Sequence, residues 1–332
     1  MDKNIITAQG LTKVYKVPER APGLAASLRG LIRPQYRQVE AVTDVNFTIA
    51  PGEMVGLLGP NGAGKTTTLK MLSGLLYPTR GSVSVAGFTP WERQPDYLRQ
   101  ISMVMGNRSA MNWDIPPLDS FRVLAQIYRV PEKAYRQTLD ALITLLHMED
   151  LLKKPVRNLS LGERMKCELV AGLLYRPRVL FLDEPTLGLD VAMQRRLRGF
   201  LKTYNQQNGV TVLLTSHYMA DVTALCPRVM LIHHGKLIYD GALQGLAEKL
   251  APFKLLKLQF SAPVRDFAEF VNALPGVEEL PPKNGHQTLR VPREAVAPVT
   301  ARVLSNLPVA DLAVEDPPIE AVIDQIYSEG SV

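Results

Sequence analysis

The sequence predicts an α/β core built on a buried parallel sheet, followed by a smaller α+β domain. Three observations carry that prediction. The short apolar runs Met54–Leu58, Val179–Leu182 and Val210–Leu214 do not alternate with polar residues, as suits strands covered on both faces. Stretches with helical spacing separate these runs, and a glycine-rich loop joins the first of them to a helix. After about Leu250 the pattern changes to half-buried alternation, which divides the chain into 1–250 and 251–332.

Composition agrees with two globular domains. The 332 residues are 46% hydrophobic and 21% charged, which excludes a largely disordered chain. The 23 Gly and 25 Pro follow no period, which excludes collagen. No run approaches the roughly 18 apolar residues that span a bilayer. Met1-Asp2-Lys3-Asn4 lacks the charged-then-apolar order of a signal peptide. Cys167 and Cys226 both lie in apolar-periodic stretches, as buried thiols in a reducing compartment would. The net charge of +6 permits an anionic ligand or a membrane surface and requires neither. A soluble, cytoplasmic protein is expected.

Taken in order, residues 4–8 and 42–49 read as strands, and Pro51-Gly52 marks the turn into Met54–Leu58. Between the first two lies an insert, 17–38, rich in Arg, Ala and Leu. Residues 83–86 and 101–105 are short apolar strand candidates. Leu118, Phe121, Leu124, Ala125 and Tyr128, then Leu139, Leu142, Ile143 and Leu146, take helical spacing and mark a helical subdomain over about 107–175. A helix ending near Gly209 separates the last two core strands. In the second domain Leu256, Leu258 and Phe260 alternate as in a strand, and Phe267–Leu274 is helical. Val277–Leu280, an Asn284-Gly285 turn and Thr288–Val291 form a hairpin. A helix near Val299–Leu307, a strand Ala310–Val314 and a helix Ile319–Tyr327 complete the order. This β-α-β-β-α-β succession is the split βαβ, or ferredoxin-like, pattern.

The chemistry begins at Gly59-Pro60-Asn61-Gly62-Ala63-Gly64-Lys65-Thr66-Thr67, which fits G-x-x-x-x-G-K-[ST] between a strand and a helix. The glycines let the backbone curl so that successive N–H groups point at phosphate oxygens, and the helix dipole adds to their field. Lys65 supplies a charge for the outer phosphates and Thr66 a hydroxyl for Mg²⁺. Asp183 and Glu184 end the apolar strand Val179–Leu182. Asp183 is placed to hold Mg²⁺ through coordinated waters, and Glu184, facing another way, to meet the attacking water.

Together with these two motifs, Leu159-Ser160-Leu161-Gly162-Glu163 resembles the signature segment of the ABC (ATP-binding cassette) ATPases, over roughly residues 5–245. The resemblance implies a P-loop α/β core with an antiparallel β-subdomain and a helical subdomain, and ATP and Mg²⁺ as ligands. It implies that Tyr15 stacks on adenine and that Gly188-Leu189-Asp190 couples the two halves of a dimer. It also implies that His217 is the switch histidine, hydrogen-bonding the γ-phosphate. Ser160 and Gly162 are kept from the usual signature, while Leu161 and Glu163 depart from it. Ser160-x-x-Glu163 is equally a helix capping box, and both roles can hold at once. Where the family places a metal-reaching glutamine after the strand at 101–105, this chain has Asn107, one methylene shorter. Asn107 either senses Mg²⁺ or the attacking water through a bridge, or only turns the loop. Asn107-Arg108-Ser109, Trp113-Asp114-Ile115-Pro116 and the 17–38 insert further resemble an exporter-like subgroup with a C-terminal extension.

The function implied is ATP hydrolysis for a transporter whose multi-span permease subunits are separate chains. Two copies pair head to tail on the cytoplasmic face of the inner membrane, as peripheral subunits. Nucleic acid is not expected as a partner; the competing reading is a soluble ABC ATPase acting on nucleic acid or ribosomes. Met103, Met105, Met111 and Trp113 either line the cleft that receives the permease or belong to the core. In the insert, Leu24, Leu28, Leu31 and Ile32 with Arg29, Arg33 and Arg37 form either a short basic amphipathic helix resting on the membrane surface or the permease, or a solvated loop or a helix packed on the cassette. The adjacent His233 and His234 precede Gly235 in a hairpin turn and read as solvated. The C-terminal domain has no catalytic set, and dimerisation or regulation is expected of it.

Overall fold

The computed structural model describes residues 3–18, 36–106, 109–216, 218–246, 251–264, 266–283, 286–319 and 321–323. The chain divides into two compact units, Met1–Gly241 and Ala242–Val332.

In the first unit, β1 (Ile6–Pro18) lies between β2 (Tyr36–Ile49) and β4 (Arg80–Val85) in an antiparallel sheet. Both β1 and β2 run far beyond the expected 4–8 and 42–49. Val17 pairs with Arg37 and Pro18 with Tyr36, so the ends of the 17–38 insert are a β-ribbon. The sequence hides this because the ribbon's Lys, Arg, Gln and Glu are held by strand pairing and not by burial. Arg37, expected in the insert's basic helix, stands instead in β2; residues 19–35, with the rest of that basic apolar pattern, lie outside the described residues.

The second sheet has the order β5-β6-β7-β3-β8-β9. Its members are β3 (Met54–Leu58), β5 (Ile101–Met105), β6 (Val179–Asp183), β7 (Thr211–Thr215), β8 (Arg228–His233) and β9 (Lys236–Ala242). From β5 to β8 all pairs are parallel. Every residue of β3, β6 and β7 is buried, which is why these strands read as unbroken apolar runs. Helix α1 (Lys65–Leu72) packs Leu69, Met71 and Leu72 into a core shared with Ile6, Leu11 and Ile49 of the antiparallel sheet and Leu57 and Leu213 of the parallel one. After the short α2 (Pro95–Leu98), the helical region comprises α3 (Pro117–Ile127), α4 (Glu132–Leu146) and α5 (Leu161–Leu173). Helix α6 (Val191–Asn208) ends on Gly209 at φ 64°, a left-handed cap that favours glycine, and α7 (Met219–Leu225) leads to β8.

The second unit has the expected element order. Strand β10 (Phe253–Phe260), α8 (Phe267–Asn272), β11 (Glu278–Lys283), β12 (His286–Pro292), α9 (Val296–Asn306) and β13 (Val309–Glu315) form an antiparallel sheet of order β11-β12-β10-β13. Phe267 and Val271 of α8 and Val299 and Val303 of α9 cover Leu256, Leu258, Leu289 and Val291. This is a ferredoxin-like fold. The Asn284-Gly285 turn lies outside the described residues, as does most of the helix expected at 319–327; residues 319 and 321–323 are helical.

Candidate functional site

The phosphate-loop sequence turns between β3 and α1, and its glycines are demanded by geometry. Gly62 has φ 81° with open space where a Cβ would stand. At Gly64, φ is 109° and a Cβ would lie 2.4 Å from the Ala41 carbonyl oxygen. The hairpin turn at His234-Gly235 supports the loop from below. Gly235 N–H donates to the Ala63 carbonyl at 3.1 Å, while the Gly235 carbonyl accepts from Thr43 N–H at 2.8 Å. His234 is exposed as expected, whereas His233 is half-buried. The supporting role of this turn was not legible in sequence, since it rests on contacts between distant strands.

Lys65 is buried, and its Nζ donates to the carbonyls of Gly59 at 2.6 Å and Pro60 at 3.1 Å. Burial lowers the Lys65 pKa, opposed by the charges of Glu184 and Asp183. Thr66 Oγ1 and Thr215 Oγ1 both donate to Asp183 Oδ1, at 3.1 and 2.7 Å. The ends of α1, β6 and β7 thus converge on one carboxylate. Glu184 follows at φ 54°, a left-handed conformation that costs a non-glycine residue about 1–2 kcal/mol. Its N–H is held by the Thr215 carbonyl and hydroxyl, both at 3.1 Å. Gly106 closes against the same turn: its N–H donates to the Asp183 carbonyl at 3.0 Å, and a Cβ there would lie 2.6 Å from the Glu184 carbonyl oxygen. Asn107 and His217 lie outside the described residues, although their neighbours Gly106 and Ser216 adjoin the acidic pair's strands.

Tyr15 is half-buried on β1, paired with Val39, two residues along β2 from the Ala41 carbonyl that abuts Gly64. The Lys13 ammonium lies 5.4 Å from its ring centroid.

Ser160, Gly162 and Asp190 gather elsewhere on the unit. Ser160 caps α5: Ser160 Oγ accepts from Glu163 N–H at 3.3 Å, and the Glu163 carboxylate accepts from Ser160 N–H at 2.8 Å. These bonds draw the Glu163 pKa below its ordinary value. The capping box is therefore made. Ser160 stays exposed, with Leu161 against Gly188 and Gly162 against Met193. Asp190 caps α6, accepting from Met193 N–H at 2.8 Å.

The methionine–tryptophan cluster divides. Met111 is buried and Met103 packs on the core, while Trp113 is 50% exposed under the Arg164 guanidinium. Exposed Val123 and Ile127 lie on α3. Both cysteines are buried, and burial pushes each thiol up to about 12, which leaves them unreactive.

Sequence reasoning missed two buried carboxylates. Glu168 on α5 accepts from Ser109 Oγ and from Ala110 N–H at 3.0 Å. Asp221 on α7 has no exposure and binds Arg198, Ser216 and Thr186. The only hint was an acidic residue flanked by apolar ones, Cys167 and Leu169 around Glu168 and Ala220 and Val222 around Asp221.

A family model described as ABC transporter matches residues 42–187, and one described as EvrA-like ABC transporter, C-terminal domain, matches 252–315. The ABC transporter ATP-binding protein NatA of Bacillus subtilis is 34% identical over 210 residues, which cover 63% of this chain and 85% of the relative. Nod factor export ATP-binding protein I of Burkholderia pseudomallei is 36% identical over 221 residues, 65% of this chain and 71% of the relative. A solved ATP-binding subunit of an ABC transporter superposes with a TM-score of 0.61 at 26% identity, covering 74% of this chain and 92% of that one. The glycine loop, the strand-end acidic pair and these likenesses point one way: the chain belongs to the ABC transporter ATP-binding proteins, as an ATP-hydrolysing cassette with an EvrA-like C-terminal domain.

Proposed function

We propose that this chain is the ATP-hydrolysing subunit of an ABC exporter, paired with a second copy and bound to separate multi-span permease subunits on the cytoplasmic face of the membrane. The observation that carries the hydrolytic part is the convergence of Thr66 and Thr215 on Asp183, with Glu184 held beside them in a strained turn. The loop Gly59–Thr67 cradles the phosphates of ATP, and Lys65 carries charge to the outer ones. Thr66 and Asp183 offer adjacent hard oxygens and so suit Mg²⁺, which when bound neutralises phosphate charge. Glu184 orients the water and accepts its proton, and His217 follows the γ-phosphate. Tyr15 stacks on the base. The partner's Ser160 and Gly162 close over the phosphate, and Asp190 couples the two sites. Asn107, the residue after Gly106 in the chain, senses the nucleotide for the permease.

Among the described residues no helix is long and apolar enough to cross a membrane. Separate permease chains are therefore part of the reading, and exposed Trp113, Val123 and Ile127 are its docking face. The Nod factor export relative supports the reading of export. Transport-type relatives disfavour the nucleic-acid or ribosome alternative.

Glu184→Gln is expected to bind Mg-ATP at normal or tighter affinity, to lose almost all turnover, and to trap a dimer in ATP. Near wild-type hydrolysis would show the carboxylate to be misassigned. Purification from detergent extracts should bring down a multi-span protein; recovery of ribosomes or DNA in its place would refute the transporter reading.

A further inference from the structure

We infer that Asp221 is a positioning residue for hydrolysis, fixing the turn that carries Glu184 to the end of β7 and to α6. The proposal rests on the reading of Glu184 as the residue that orients the attacking water.

Asp221 lies in α7 and makes no contact with solvent. A carboxylate in that position is tolerated only when its partners offset the lost hydration. Three do so, from three separate segments of the chain. Arg198 Nη1 of α6 lies 2.8 Å from Oδ1, Ser216 Oγ donates to Oδ2 at 3.0 Å, and Thr186 Oγ1 donates to the same oxygen.

The placement of these donors gives the carboxylate its role. Thr186 is at the centre of the turn that starts at Glu184. The Glu184 carbonyl accepts from Leu187 N–H at 3.2 Å, and the Thr186 carbonyl accepts from Leu189 N–H at 3.1 Å. Fastening the Thr186 side chain therefore fastens the turn. Ser216 directly follows β7, whose Thr215 holds both Asp183 and the Glu184 N–H. Arg198 belongs to the helix that Asp190 caps. Glu184 is strained at φ 54°, and such a conformation persists only where its surroundings over-determine it. The buried carboxylate supplies that restraint from one side and Thr215 from the other. It does not touch the nucleotide loop, so releasing it should misplace the Glu184 carboxylate without opening the phosphate cradle.

The test is steady-state ATP hydrolysis by the full chain, with nucleotide affinity and thermal melting measured on the same samples. Thr186→Val keeps the shape and removes only the hydroxyl; Thr186→Ser restores it. Thr186→Val is expected to lower kcat about ten- to a hundredfold, with KM for ATP changed less than about twofold, because small misplacements of a reacting group act on the chemical step. Thr186→Ser should stay near wild type. Asp221→Asn should match or exceed the Thr186→Val loss; if it fails to fold, the threonine pair still decides. A Thr186→Val chain with wild-type kcat overturns the proposal, as does a parallel loss of ATP affinity, melting temperature and kcat. Glu184→Gln is run alongside. Its retention of turnover would overturn the reading of Glu184 itself, whereas an inactive Glu184→Gln beside a normal Thr186→Val would overturn only the role of Asp221.

Discussion

At Ser160 one hydroxyl has to satisfy two demands. It accepts the Glu163 N–H as a helix cap, and it remains exposed at the end of α5, where the partner's phosphate is proposed to sit. A cap of this kind is worth about 1 kcal/mol, and aspartate serves as well as serine. Aspartate, however, would set a negative charge against phosphate. Ser160→Ala should therefore lower stability by about 1 kcal/mol, while Ser160→Asp melts like wild type but loses turnover by about tenfold or more. Thermal melting beside an ATPase assay checks both. Normal turnover in Ser160→Asp would leave the cap as the residue's whole role.

Helix α5 is tied to the segment after β5 at two places. Glu168 binds Ser109 and Ala110, and Arg164 stacks on Trp113 while its Nε donates to the Leu159 carbonyl at 3.0 Å. The signature end and the exposed Trp113 are therefore joined by side-chain contacts. Burial raises the Glu168 pKa above the ordinary glutamate value, against the pull of its hydrogen bonds. Between the ordinary and the raised value the folded chain keeps a proton that the unfolded chain has released. Stability from this group is thus full below the ordinary value and is lost as pH rises through the raised one. The melting temperature of wild type relative to Glu168→Gln is expected to fall as pH rises above the ordinary glutamate value, as thermal scans would show. A difference that stays flat with pH would mean that the carboxyl does not titrate there.

For the molecule as a whole, each unit has its own core: Leu256, Leu258, Leu289 and Val303 in the second, Leu57, Leu69, Leu72 and Leu213 in the first. A unit that buries its own apolar face can fold alone. A chain ending at Leu250 is expected to stay folded, with a single cooperative melt, and to bind ATP, which fluorescent-nucleotide titration would measure. Loss of binding in a folded truncation would mean that the C-terminal unit completes the nucleotide site.

Local chemistry alone determined the phosphate loop, the buried strands and the ferredoxin-like order. A positive φ at Gly62 calls for glycine, and a strand covered on both faces must be apolar throughout, so both leave a mark within a few residues. Capping also showed locally, at Ser160-x-x-Glu163 and at Gly209. The long β1–β2 ribbon did not, because backbone pairing holds exposed polar residues that carry no periodic signature. Which side of the methionine cluster is core was likewise settled only by packing, with Met111 inside and Trp113 outside. The convergence of Thr66 and Thr215 on Asp183, the support of Ala63 by Gly235 and the three-way hold of Asp221 belong to tertiary structure alone. Each joins residues far apart in the chain, and a hydrogen bond between distant segments exists only once the sheet has set their ends side by side.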